Sequence, residues 1–369
     1  MGAISNGATE SGDVRIPGGK KFYPVLEGLR GAAAILVLFR HIPTYGPPIN
    51  FQMSYLAVDL FFVLSGFVIA NSYEQKLTSE RMSFKEFAVL RVIRIFPLYL
   101  IGSLIGLVAL FFTGTVQNNI LALSVILALV MLPLPVRGLP PYPLNNPSWS
   151  LFFEFFANFF YAKFVKILNN RTIIIITILS LLILIYGATT SPKAMDLGWG
   201  KKTFLFGFPR VLFSFLVGVL IYRLDLRNGN RRTYDSPLLA VAAICASIAI
   251  QVVAIDARFE AMYGLFAVAI LFPLIVYFSV RISVKGKILG AMMLLGEISF
   301  PLYALHSPLY QISHVAFGAY LDPYAPYTGI AFAFVAIAIA LMFHSWVDVP
   351  LRKHLRAAIM HRLPQPSPA

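Results

Sequence analysis

The stretch LEGLRGAAAILVLFRHIPTY, residues 26–45, decides how the rest of the chain reads. At 20 residues, most of them apolar, it has the length a bilayer needs, so it reads as a membrane-spanning helix. Yet it carries Arg30 near one end and Arg40 with His41 near the other. Ten residues separate Arg30 from His41. At about 100° per residue that is three turns plus roughly 20°, so both project from one face, about 16 Å apart along the axis. Ionisable side chains aligned on one face of a span are costly, and their default reading is functional. The plainer account, that both ends sit among headgroups and snorkel, suits Arg40 better than His41.

Composition agrees with a membrane setting. The 369 residues are 58% hydrophobic and 12% charged, which excludes a soluble domain and indicates a multi-spanning protein. The net charge of +14 does not point to nucleic acid, because Lys and Arg lie between apolar runs, as in cytoplasmic loops facing anionic lipid. The single cysteine, Cys245, sits in AVAAICASIAI and offers no intramolecular disulfide and no thiolate or metal site. The N-terminus has no apolar core and is not a signal peptide. It also misses the myristoylation pattern, since Asn6 stands where Ser or Thr is needed. Residues 1–19 and 359–369 read as disordered tails around one transmembrane domain, 20–358.

After the opening helix, apolar segments follow at 54–71, 92–112, 120–132, 149–164, 172–186, 204–222, 238–255, 262–280, 291–312 and 328–346. Each approaches the ~20 residues a bilayer needs, except 120–132. Basic residues set the orientation. Arg15, Lys20 and Lys21 at the N-terminus, and Lys76, Arg81, Lys85, Arg91 and Arg94 in 72–94, belong in the cytoplasm, whereas 44–53 has no charge. If 120–132 dips in and returns, the clusters at 163–171, 223–232, 281–287 and 352–356 also fall inside, and only 188–202 is left as a basic outer loop. The expected fold is therefore all-α: a polytopic bundle of about ten crossing helices plus one short re-entrant segment, both termini cytoplasmic. No internal repeat stands out, which weighs against a transporter built from inverted repeats.

That orientation sorts the polar residues by depth. Asp59 on the second span lies at the outer-half depth of His41, where a carboxylate could fix and charge an imidazole, or simply join two helices. Ser65-Gly66 reads as close helix packing. Arg91 and Arg94, one turn apart, are an orientation signal alone, and with Arg30 a candidate anion site for the phosphates of a nucleotide-bearing ligand. In SWSLFFEFF, Ser150 and Glu154 share a face with Trp149 at the interface, and Glu154 needs a cavity or a cation. Ser299, Tyr303 and His306 share a face of a segment that Pro301 and Pro308 should bend around a cavity. His306 reads either as a site residue or as a packing histidine, and Asp348 as the partner of Arg352 or Lys353. There is no H-E-x-x-H, no Cys/His cluster, no Gly-rich phosphate loop and no G-x-S-x-G elbow.

Taken together, these pieces resemble the acyltransferase 3 family of integral membrane acyltransferases. The matching motifs are LEGLRG with Arg30 and then His41; VDLFFVLSGF at 58–67; RVIRIFPLY at 91–99; WSLFFE at 149–154; and GEISFPLYALHSP at 296–308. Weaker matches are RVLFSFLVG at 210–218, with Arg210, Phe215 and Gly218, and DVPLRK at 348–353. The resemblance implies that His41 is the catalytic histidine, Arg30 its partner at fixed spacing, Arg91 and Arg94 the arginines at the acyl-CoA mouth, and Glu154 the motif glutamate. Departures are Leu90 where many members have another Arg, Asp348 for a commoner Glu, and Phe300 for a commoner Tyr. The esterase-like domain fused to some members is not expected here.

The reading that follows is a bacterial inner-membrane O-acyltransferase with no permanently bound cofactor and no metal. Acyl-CoA, acetyl-CoA in the first instance, is the expected donor, and a sugar, glycolipid or polysaccharide precursor the expected acceptor. His41, oriented by Asp59, would act as general base, with Glu154 as a further catalytic residue and Arg30, Arg91 and Arg94 on the donor. Trp149, Ser150, Tyr303 and His306 would line the acceptor side, completed by outer loops 44–53, 133–148 and 313–327. The alternative is a polytopic transporter for a sugar or a proton-coupled solute.

Overall fold

The computed structural model describes residues 15–16, 20–42, 51–227 and 234–360. Every apolar segment becomes a helix. In order they are α1 (Pro24–Arg40), α2 (Ala57–Thr78), α3 (Phe84–Thr113), α4 (Asn118–Leu129), α5 (Ser148–Phe164), α6 (Asn170–Thr190), α7 (Gly207–Arg227), α8 (Pro237–Val252), α9 (Glu260–Phe266) and α10 (Phe272–Ser279). They are followed by α11 (Gly286–Leu321), α12 (Tyr327–Phe343) and α13 (Val349–Met360). One-turn π segments at Ala267–Leu271 and His344–Asp348 join α9 to α10 and α12 to α13.

Among the described residues, seven helical stretches are long and apolar enough to cross a membrane. Adding α1 and α5, of 17 residues each, and α8, of 16, accounts for the ten expected segments. The remaining helix, α4, has 12 residues and so is about 18 Å long, well short of the ~30 Å hydrocarbon core. Helix ends follow local chemistry rather than the apolar runs. The third helix begins at Phe84, well before the run at 92, because Ser83 and Glu86 form a reciprocal capping box (Ser83 N to Glu86 Oε2, 2.7 Å). Arg91 and Arg94 therefore stand within the helix instead of at its mouth. Asn169 and Ser236 cap α6 and α8 by accepting from the Thr172 and Leu239 amides.

The bundle is ordered from inside out. Most of the apolar window of Gln52–Thr78 is buried (89%), against 17% for Tyr327–Ile359, so α2 is the central helix and α12 a peripheral one. Helix α1 packs along α11, and α2 along α7. The α2–α7 approach is close: a Cβ at Gly66 would collide with the Phe215 carbonyl, and one at Gly218 with the Val63 carbonyl. Outward faces stay apolar, as at Ile174, Ile175, Ile178 and Leu182 on α6 and Phe334 on α12. Contiguous apolar surface of that kind fits lipid, not water.

Helix α11 runs unbroken through Pro301 and Pro308. A proline frees the carbonyl four residues earlier. For Pro308 that is Ala304, and the buried Asn145 amide donates to it at 2.9 Å. Arg223 is more than an orientation signal: it pairs with Glu74 at 3.0 Å and donates to the Leu168 carbonyl at 2.7 Å, and Glu74 also accepts from Tyr161. The tails expected at 1–19 and 359–369 lie mostly outside the described residues. Within them, Arg15 and Ile16 pair antiparallel with Lys21 and Lys20, and α13 continues to Met360. The outer loop expected at 44–53 also falls mostly outside them.

Candidate functional site

Two cavities lie end to end along α1. The first, about 150 Å³, is lined by Arg30, Arg91 and Arg94, by Glu154 and by the hydroxyls of Ser65, Ser150, Ser299 and Tyr303. Three guanidinium groups face one carboxylate, so this chamber favours an anion. Glu154 Oε1 receives both Ser65 Oγ (2.8 Å) and Arg91 Nη2 (3.1 Å). Arg30 is held by Glu27 at 2.6 Å, one turn earlier on α1. Arg94 leans over the Phe300 ring at 5.4 Å, with Asp348 3.9 Å away. Asp348 is gripped more closely by Arg352, at 2.5 Å, as its position in the sequence suggested.

The second cavity, about 200 Å³, is lined by His41, Arg40, Tyr55, Trp149, Asp196 and Trp199, among others. Among the described residues, only Val58 and Tyr303 line both chambers. His41 caps α1, and its Nδ1 lies 2.8 Å from the Val37 carbonyl. A carbonyl can only accept, so Nδ1 carries the proton and Nε2 keeps its lone pair. That is the tautomer a general base needs. His306 repeats the arrangement: Nδ1 is 3.0 Å from the Leu302 carbonyl, and its ring meets that of His41 edge-on at 5.0 Å. Tyr303 stands beside His306 at 5.8 Å and against Phe61 at 5.5 Å.

The structure rearranges several expected partnerships. Asp59 does not orient His41. It is fully buried and held by Arg210, whose Nη2 is 2.6 Å and Nε 3.0 Å from its oxygens. Arg210 also donates to the carbonyls of Leu197 (2.6 Å) and Tyr55 (3.1 Å), and lies 5.6 Å from the Trp149 ring centre. The pair is a clamp beneath the second cavity, tying α2 and α7 to the walls that carry Tyr55 and Trp149. The backbone of α1 takes the orienting role expected of Asp59. Glu154 is not beside His41 but in the first chamber with the arginines. Ser150 and Ser299 lie in that chamber as well, and Trp149 alone of the WSLFFE motif faces the second.

Arg40, expected to be an interface anchor, lines the second cavity. It pairs with Asp196 at 3.0 Å, donates to the Gln52 carbonyl at 3.2 Å and lies over the Tyr55 ring at 5.3 Å. Asp196 and Trp199 come from the loop 191–203, which the sequence marked only as an outer loop with exceptional charge. Lys193 of that loop stacks on Trp199 at 4.4 Å. Ser65 is the other residue whose contact was missed: beside the packing Gly66, it donates to Glu154. No local pattern marks such groups, because their partners are far away in sequence.

The family model described as an acyltransferase domain, acyltransferase 3, matches residues 23–343. Among characterised proteins, Protein 2 in the picA locus of Rhizobium radiobacter is 30% identical over 186 residues, 44% of this chain and 94% of that protein. Peptidoglycan O-acetyltransferase OatA of Listeria monocytogenes is 29% identical over 106 residues, 27% of this chain and 16% of that protein. No solved structure matches the chain.

Proposed function

The chain belongs to the acyltransferase 3 family and is a membrane-embedded acyltransferase; from that premise we propose that it moves an acyl group from cytoplasmic acyl-CoA to a hydroxyl of a sugar, glycolipid or polysaccharide precursor. The acyl group is acetyl in the first instance, and the setting is the inner membrane of a bacterium. The observation that carries this reading is the pair of chambers: an arginine-lined one and a histidine-bearing one, meeting at Val58 and Tyr303.

The first chamber is the donor side. At about 150 Å³ it is smaller than usual ligand pockets of 300–1,000 Å³, so it suits a narrow pantetheine arm with the nucleotide left at its mouth. Arg30, Arg91 and Arg94 supply positive charge for the phosphates. Glu154 holds Arg91 in place and is a positioning residue. The second chamber is the acceptor side, where Trp149, Trp199 and Tyr55 present aromatic walls suited to a sugar ring. The likeness to the Listeria peptidoglycan O-acetyltransferase supports an acetyl donor and a glycan acceptor.

In this reading His41 Nε2 takes the proton of the acceptor hydroxyl as its oxygen attacks the thioester carbon. The imidazolium then returns the proton to the departing CoA sulfur, and the ester and free CoA result. Purified protein in lipid nanodiscs should release CoA from acetyl-CoA and be thermally stabilised by CoA. Mass spectrometry of surface glycans and lipids from a deletion strain and its parent should reveal a missing acyl group. Solute accumulation in vesicles without any dependence on acyl-CoA, together with no CoA release, would overturn the proposal in favour of a transporter.

A further inference from the structure

The partition between the two chambers carries a consequence for the chemistry. Among the described residues two side chains line both, the apolar Val58 and the polar Tyr303. Transfer requires a carbonyl carbon reached from the first chamber to meet a hydroxyl activated by His41 in the second. As the bond forms, negative charge collects on the carbonyl oxygen inside a low-dielectric bundle, and that oxygen needs a fixed donor.

Several neighbouring donors are committed, and the uncommitted Tyr55 hydroxyl and Trp199 Nε1 line only the second chamber. Arg91 donates to Glu154 and Arg30 to Glu27, and both line only the first chamber. Arg40 is engaged by Asp196 and the Gln52 carbonyl. His306 spends its Nδ1 proton on the Leu302 carbonyl, which leaves Nε2 an acceptor.

Tyr303 is different, and a count of protons explains why. Its hydroxyl lies 3.1 Å from the Pro147 carbonyl and 2.5 Å from Ser150 Oγ, and Ser150 Oγ itself donates to the Pro147 carbonyl at 3.0 Å. Two hydroxyl protons serve three short contacts. Ser150 Oγ can give its proton to the Tyr303 oxygen, because the Pro147 carbonyl also accepts from the Ser150 amide at 3.3 Å, so the Tyr303 proton can turn to a ligand oxygen without orphaning a buried group. The ring cannot drift, because Phe61 and His306 hold its edges.

We propose that Tyr303 is a catalytic residue, the hydrogen-bond donor to the thioester carbonyl oxygen in the transition state, with Ser150 as the positioning residue that frees its proton. The inference rests on the acyl-transfer reading. In the step, the acceptor oxygen bonds to the carbonyl carbon while His41 Nε2 takes its proton. The C=O pair moves onto the oxygen, which Tyr303 stabilises by a hydrogen bond without losing its proton. Collapse then breaks the carbon–sulfur bond, and CoA leaves with the proton from His41.

The test is Tyr303→Phe in nanodiscs, with acetyl-CoA as donor, water as acceptor and CoA release as readout, beside incorporation of labelled acetate into cell-envelope material. Phenylalanine keeps the wall and removes the donor. Losing one such donor should lower kcat about 10²–10³-fold. KM for acetyl-CoA and thermal stabilisation by CoA should stay within about threefold of the parent, as for an interaction made only in the transition state. Ser150→Ala, which leaves Tyr303 the Pro147 carbonyl, should cost under about tenfold in kcat. A Tyr303→Phe protein with near-parental kcat would show that the residue is only a wall. Loss of CoA stabilisation in step with kcat would show that it only supports the donor chamber. If the parent itself releases no CoA, the acyl-transfer reading fails, and this inference with it.

Discussion

At the scale of single residues, backbone atoms and buried ion pairs hold the chemistry in place. His41 receives its tautomer from the Val37 carbonyl of its own helix and not from a carboxylate. His41→Ala should reduce acyl transfer by about 10²–10⁴-fold while leaving the melting temperature in detergent near that of the parent. Asp59 and Arg210 answer to stability instead. Both are completely buried, and cutting one leaves the other charge alone. Arg210→Met should therefore cost about 3–5 kcal/mol, read as a fall in thermal unfolding temperature. The double variant Asp59→Leu with Arg210→Met should recover most of that loss, since replacing both charges of a buried pair by apolar groups is often neutral.

Between elements, close approach and carbonyl satisfaction decide the packing. Gly66 and Gly218 let α2 and α7 touch backbone to backbone, so Gly218→Val should force the helices apart and cost about 1–3 kcal/mol, measured by the same unfolding assay. The unbroken course of α11 through Pro308 depends on Asn145, which donates to the freed Ala304 carbonyl. Asn145→Ala should cost about 1–3 kcal/mol by leaving that carbonyl bare. The expected signature is rescue: with Pro308→Ala the helix can supply its own amide, and Asn145→Ala should then cost little. An equal penalty in both backgrounds would mean that Asn145 stabilises some other contact.

Across the whole molecule, the opening helix carries Arg30 to one chamber and Arg40 with His41 to the other. Arg91→Ala should raise KM for acetyl-CoA on the order of tenfold or more, as expected for losing a hydrogen bond between charged groups. The effect should shrink when a pantetheine thioester lacking the nucleotide replaces acetyl-CoA. Steady-state kinetics with the two donors reads this directly, and an equal effect on both would remove Arg91 from phosphate recognition.

The spans were legible in the sequence because a bilayer demands about 20 apolar residues in a row, which is a local property of the chain. So were the shortness of α4 and the shared face of Ser150 and Glu154, since helical periodicity acts within one element. Partnerships were not. Asp59 meets Arg210 across 151 positions, Arg40 meets Asp196 across 156, and Glu154 receives Arg91 and Ser65 across 63 and 89. Inside a bundle every buried charge requires a partner, but many arginines and carboxylates could serve, and only the packing of helices selects among them. The sequence by itself determined a helical membrane bundle and the helix that carries His41. Tertiary structure alone decided that Asp59 clamps α7 rather than His41, and that Tyr303 stands where the two chambers meet.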